Sequence, residues 1–171
     1  MRKTLLYVGI LAISMFLLVG CAPSTPPDDT ADKTAIGLAV DNWRMANEGY
    51  TVSAMLAPLA SDFTLDIKEK GVSQGPKDLT TLTQEIQGAA TNQAKMRSEG
   101  YSIAISFTDA TTTITSATAK YAASFTTDEK VVAGAETLAG TIIPENGTIG
   151  IDLVKADGVW KFSKMDLDFN P

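Results

Sequence analysis

Histidine is absent from the entire chain of 171 residues. With it go the commonest general base, the commonest metal ligand, and every Ser-His-Asp or Cys-His arrangement for nucleophilic catalysis. Cysteine occurs once, at Cys21, so no disulfide can form within one chain and the fold must hold by its core alone. Basic residues are also short. Fourteen Lys and Arg face 20 Asp and Glu, a formal charge of −6, and loss of Arg2 and Lys3 with a leader makes the balance more acidic still. Such a surface repels a phosphate backbone and offers no Lys/Arg cluster, which argues against nucleic acid as a partner. The apolar run from Leu5 to Gly20 falls short of the ~20 residues a membrane-spanning helix needs.

What is present divides into an address and a domain. A composition of 44% hydrophobic and 20% charged residues suits one globular domain with an appendage. Arg2 and Lys3, the apolar run and the small Gly20 describe an export signal over residues 1–20. The junction "LVGC" resembles the lipobox of bacterial lipoproteins. In that resemblance Leu18 and Val19 fill the aliphatic and small positions, Gly20 precedes the cut, and Cys21 receives the diacylglyceryl thioether. A thiol suits that role because its low pKa and nucleophilicity let it become the lipid-bearing sulfur. The resemblance further implies acylation of the Cys21 amine, a palmitate-type chain added to the two of the diacylglyceryl group, and two or three chains anchor firmly where one does not. The membrane is then a partner through the N-terminal lipid. Ala22 after the cysteine implies, by the sorting rule of two-membrane bacteria, the outer membrane; in a one-membrane bacterium the protein faces outward from the cell membrane. Residues 21–33, ending in "APSTPPDDTADK", hold prolines, small polar residues and acids and read as a disordered tether.

The domain is expected over residues 34–171. Ile36, Ala39, Val40, Trp43 and Ala46 recur at helical spacing up to Gly49, and Val52, Met55, Leu56 and Leu59 extend into a second, short helix. "SDFTLDI" reads as a strand. "GP" at 75–76 opens a third helix carrying Leu79, Leu82, Ile86 and Ala90, with fraying expected after Gly88. Beyond Gly100 the period changes to two: Ile103, Ile105 and Phe107, then Ala117, Ala119, Tyr121, Ala123 and Phe125. Turn signals "PENG" at 144–147 and "ADG" at 156–158 predict strands near 138–143, 148–155 and 159–168. Helices followed by antiparallel strands predict an α+β fold, N-terminal helices packed on a curved, mainly antiparallel sheet. "AIGLAVDNWRMANEGYTVSAMLAPLASDFTLDI", the glycine-proline before a helix and the closing "IDLVKADGVWKFSKMDLDF" together resemble the nuclear transport factor 2-like superfamily, the cone-shaped fold shared with ketosteroid isomerase and SnoaL-like cyclases.

That resemblance implies a cone whose mouth can hold acids and phenols, where an apolar wall raises carboxylate pKa values. Compared with the ketosteroid isomerase pattern, Asn42 stands at the helix-one tyrosine position. Ile67 stands where the basic aspartate belongs, with Asp66 one step off on the other face. Asp152 alone matches the third acid, so no catalytic set is assigned. Candidate pocket residues are Asn42, Trp43, Tyr121, Asp152 and Trp160. Trp43 and Trp160 also suit plain packing. Tyr50 and Tyr101, each after a glycine, read as closing the core edge with their hydroxyls in water. Tyr121 lies on the apolar side of its strand and needs a partner or a pocket for its hydroxyl. Alternation favours Asp152 facing outward, where its charge is solvated. The small Ala117, Ala119 and Ala123 leave a cavity or admit a close helix. "DDTAD" and the pair Asp128 and Glu129 lack the ligand alternation of a calcium loop and read as solvated loop; no metal and no cofactor is indicated.

Two functions fit. The first is a lipid-anchored, non-catalytic module binding a small molecule or an envelope protein, as a monomer or a weak dimer, since the outward residues Ser116, Thr118, Lys120, Ala122 and Ser124 lack interface anchors. The second is a carboxylate-dependent isomerase, dehydratase or cyclase acting on a small apolar substrate. The absent catalytic positions favour the first. Replacing Cys21 with serine is expected to leave a soluble or unprocessed protein; membrane partitioning and an unprocessed N-terminus shared by both forms would remove the lipoprotein reading.

Overall fold

The structure is a computed structural model that describes residues 28–130 and 146–170. The architecture below is that of the unit Ala31–Pro171. The expected signal segment, Cys21 and the strand near 138–143 lie outside the described residues. No helix among the described residues is long and apolar enough to cross a membrane.

Helix α1 (Thr30–Gly49) buries Ile36 and Val40 completely and turns Trp43 and Asn47 to the same side, the i, i+4, i+7 stripe of an amphipathic helix. It starts at Thr30, so the tether read up to residue 33 is too long by one helical turn. Asp32 lies in that first turn and is not solvated tether: its Oδ1 accepts from Lys155 Nζ at 2.6 Å and from the Trp160 indole at 3.0 Å. The helix ends where Tyr50 takes a left-handed φ of 49° and Thr51 N–H returns to the Ala46 carbonyl at 2.8 Å, closing the last turn. The short α2 spans Val52–Leu56. Leu59, expected at its end, instead opens strand β1 (Leu59–Glu69), because Pro58 cannot continue the helix.

The third helix, α3 (Leu79–Ser98), does not open at the glycine-proline pair. Its N-cap is Asp78, which accepts from Thr81 N–H at 2.7 Å, because the residues between are drawn into sheet pairing: β2 (Val72–Ser73) and β3 (Lys77–Asp78) both lie against β1. The helix passes through Gly88 without fraying.

Four long strands complete the sheet: β4 (Ser102–Thr115), β5 (Thr118–Lys130), β6 (Asn146–Ala156) and β7 (Val159–Asn170). The order among the described residues is β2-β1-β7-β6-β5-β4, antiparallel except for the parallel pair β1 and β7. The fold is thus α+β, helices on a mixed, mainly antiparallel sheet. Asp157 and Gly158, both at positive φ, make the two-residue turn between β6 and β7 that matches strand twist. "PENG" is not a simple turn. Asn146 and Gly147 already belong to β6, and its first two residues lie outside the described residues.

The sheet keeps one face apolar by switching parity at bulges. On β4 the inward residues are Ile103, Ile105 and Phe107, then Thr112 and Ile114, because the register shifts between Thr108 and Thr111 where Asp109 adopts φ 54°. On β7 they are Trp160 and Phe162, then Met165, with the shift opposite Asp152–Leu153. Each bulge adds a residue, bends the strand, and returns the next apolar side chain to the core. Edge strand β4 is capped at Ile105, whose N–H donates to Glu48 Oε1 at 2.7 Å and whose carbonyl accepts from Arg44 Nη1 at 3.4 Å.

Gly147 marks the tightest approach in the sheet. A Cβ there overlaps the Asp168 carbonyl and lies 2.6 Å from Phe125 Cζ, whereas one at Gly150, on the outer face, meets nothing within 4 Å. Gly147→Ala is expected to cost roughly 1–3 kcal/mol in urea unfolding. Gly150→Ala is expected to be neutral or stabilising by about 0.5–1 kcal/mol; equal effects of the two would contradict this packing.

Candidate ligand-binding cavity

A sheet face this apolar has to be covered, and the two long helices do it unequally. Helix α1 brings Ile36 and Val40 into one continuous core with Ala119, Ala123, Ile151 and Leu153. Ala119 and Ala123 belong to that core and do not line the cavity described below, while Ala117 is exposed at a turn. Helix α3, equally long, has no fully buried residue. Its inward side carries Leu79, Leu82 and Ile86, then Ala89, Ala90 and Gln93, then Met96; Leu79 and Leu82 pack on the core, and the small side chains of 89 and 90 fill little beyond them. The space left is a cavity of about 400 Å³, at the lower end of the roughly 300–1,000 Å³ of small-molecule sites.

Its wall is built by every layer: Trp43 from α1, Met55 from α2, Phe63 and Leu65 from β1, Phe107 from β4, Phe125 from β5 and Met165 and Phe169 from β7. Trp43 meets Phe162 edge-to-face at 6.4 Å and Phe125 meets Phe169 likewise at 5.3 Å, so the aromatic wall is locked by its own contacts. Polar lining comes from Asn47, Thr127 and Glu129. The Asn47 amide donates to the Trp43 carbonyl at 2.8 Å. Thr127 and Glu129 follow Phe125 on the inward side of β5, opposite Ile105 and Ile103, so the wall changes from apolar to polar along one strand.

Tyr101 stands close enough to Glu129 for the carboxylate to act on its phenol. The Arg97 guanidinium lies 5.7 Å over the Tyr101 ring, and its Nη2 donates to the Asn47 carbonyl at 3.4 Å. Burial raises the Tyr101 phenol above its ordinary 10.0, and Glu129 adds to the shift through its charge and its hydrogen bond.

Of the five candidate residues, Trp43 alone lines this cavity. Asn42 is exposed on the far side of α1. Tyr121 is buried, but its ring packs edge-to-face on Phe107 at 6.4 Å within the core. Asp152 points outward and pairs with Lys120 at 3.4 Å. Trp160, 4% exposed, is held by Asp32. Asp66 also lies on the outer face, where it accepts the Ser73 hydroxyl. Tyr50 does not leave its hydroxyl in water: it donates to the Ile86 carbonyl at 2.9 Å and ties α1 to α3. Asn47, Thr127, Glu129 and Tyr101 were not anticipated as a group. The signal was present, since the alternation through Phe125 continues to 127 and 129, and the α1 stripe through Trp43 continues to 47. Asp128 and Glu129 are strand residues, not loop.

The fold is that of known structures. A nuclear transport factor 2-like protein of unknown function from Pseudomonas putida KT2440 superposes with a TM-score of 0.61 at 11% identity, over 81% of this chain and 87% of that one. The beta subunit of benzoate 1,2-dioxygenase from Burkholderia mallei gives 0.66 at 8% identity, over 79% and 88%. A candidate scytalone dehydratase from Novosphingobium aromaticivorans gives 0.62 at 10% identity, over 84% and 87%. No family model matches the sequence, nor does any curated protein. The chain thus has the nuclear transport factor 2-like fold, and at these identities the likeness is one of fold.

Burial also raises the phenols of Tyr50 and Tyr121 above 10.0. With a raised folded value, the native state holds these protons longer than the unfolded chain. Their stabilisation is complete below pH 10 and is lost as pH rises through the folded values. Phenolate absorbance is expected to develop late in the folded protein, with urea midpoints falling above pH 10. Glu129→Gln is expected to bring one phenol back toward 10; an unchanged titration would separate Tyr101 from Glu129.

Proposed function

We propose that the domain is a binding module for a small apolar molecule, held at the bacterial envelope by lipid on Cys21. The observation that carries the reading is the cavity: about 400 Å³, walled by aromatic and aliphatic side chains, with its polar groups gathered at one end. That is the form of a site that takes an apolar body by burial and orients it by a few polar contacts. The outer sheet face is a poorer candidate for recognition. It presents Lys120, Asp152, Lys164 and Asp166 in ion pairs at 2.8–3.4 Å and no aromatic or aliphatic cluster to anchor a protein partner. The "LVGC" junction supports the lipid anchor, which keeps the module where apolar molecules partition.

Acid–base catalysis on the same kind of molecule is the second reading. It is favoured by a carboxylate, Glu129, in the cavity lining with the Tyr101 phenol beside it, and it requires that Glu129 reach the reacting atom.

Leu82→Trp fills the cavity from α3, where Leu82 is half-buried and lines it. The neutral dye N-phenylnaphthylamine is expected to brighten on binding the native chain and to lose at least about tenfold in affinity with the variant, ~1.4 kcal/mol. A folded Leu82→Trp protein that binds the dye as the native one does would place binding elsewhere.

A further inference from the structure

The polar end of the cavity is not neutral. Its lining holds one charged group among the described residues, Glu129, and no cation. Two basic groups stand near the wall without lining it: Arg97, with its guanidinium over the Tyr101 ring and on the Asn47 carbonyl, and Arg44, which donates to the Ile105 carbonyl. A carboxylate offers about four acceptor positions. Glu129 lines the cavity, and its carboxylate acts on the Tyr101 phenol beside it. The donors in the lining are the Asn47 amide, which is bound to Trp43 within its own helix, and the Thr127 hydroxyl. The chain as a whole is acidic, so no distant positive field offsets the carboxylate.

We propose that Glu129 selects the ligand's polar end, accepting a hydroxyl or an ammonium from an apolar alcohol, phenol or amine and excluding the matching carboxylic acid. This rests on the binding role proposed above and specifies its chemistry. A donor head on an apolar body of limited length places the body among Phe63, Phe107 and Phe125 and the head beside residues 127–129. An anionic head would sit against like charge at a half-buried site, with no cation lining the cavity to meet it.

Competition against N-phenylnaphthylamine with three naphthalene derivatives of equal bulk tests the assignment on the full chain. The methanol and the methylamine are expected to displace the dye at least about tenfold more effectively than the carboxylate, the scale of a hydrogen bond to a charged group. Glu129→Gln, nearly isosteric, is expected to close that gap, improving the carboxylate and weakening the amine. Tyr101→Phe removes the polar hydroxyl beside Glu129 and is expected to widen the gap, which keeps the test open should Glu129→Gln fold poorly. Dye binding with no preference among the heads, or a preference unchanged in both variants, overturns the role of Glu129 while leaving the cavity a binding site. If neither dye nor competitor binds, the binding role falls and this inference with it.

Discussion

The rest of the structure depends on keeping one face of a bent sheet apolar from end to end. Strand geometry alone does not ensure this, because a bend costs a residue and a residue flips the parity of everything beyond it. The bulges at Asp109 on β4 and near Ser163 on β7 restore the parity after each bend. Phe107 and Ile114 therefore share a face although their spacing is odd, as do Phe162 and Met165. The Ser163 hydroxyl, donating to the Asp152 carbonyl at 3.0 Å, pins the second bulge to the neighbouring strand. Once that face exists it must be covered, and the cavity lies between it and the long helices, lined by Trp43 and Asn47 from α1 and by Leu82 and Ile86 from α3.

How much of this was legible in the sequence follows from which contacts are local. Strand β5 is central and unbulged, so its burial follows strict alternation and Ala119, Tyr121, Ala123 and Phe125 could be assigned directly. The stripe of α1 and the turn at Asp157–Gly158 were legible for the same reason. The start of α3 was not: Pro76 and Asp78 are both sound helix openers, and the choice is made by the pairing of Lys77 and Asp78 with β1. Asp32 was read as solvated because its neighbours are polar, while its true partners, Lys155 and Trp160, lie more than 120 positions away. The polar end of the cavity was missed because it is assembled from the last turns of three elements, where each stripe or alternation passes from apolar to polar and the pattern looks finished.

The two faces of the sheet divide the labour. The inner one supplies nearly all of the apolar burial, and the outer one carries partly exposed ion pairs such as Lys164 with Asp166 at 2.8 Å. Such pairs contribute on the order of 0–1 kcal/mol each, so the outer face keeps the domain soluble and adds little to its stability. Asp32 is a different kind of contact. It joins the first turn of α1 to the β6–β7 hairpin at Trp160, so the helix that seals the core is fixed at its start as well as along its length.

The contact between α1 and strand β4 has a consequence beyond packing. An edge strand ordinarily displays a row of free amides and carbonyls on which another chain can add a strand. Here the groups of Ile105 are taken by Glu48 and Arg44, and the bulge at Asp109 interrupts the row further along. Copies of a folded protein at high local concentration meet one another's sheet edges repeatedly. Blocking the edge from within the chain lets many copies crowd together without polymerising through their sheets.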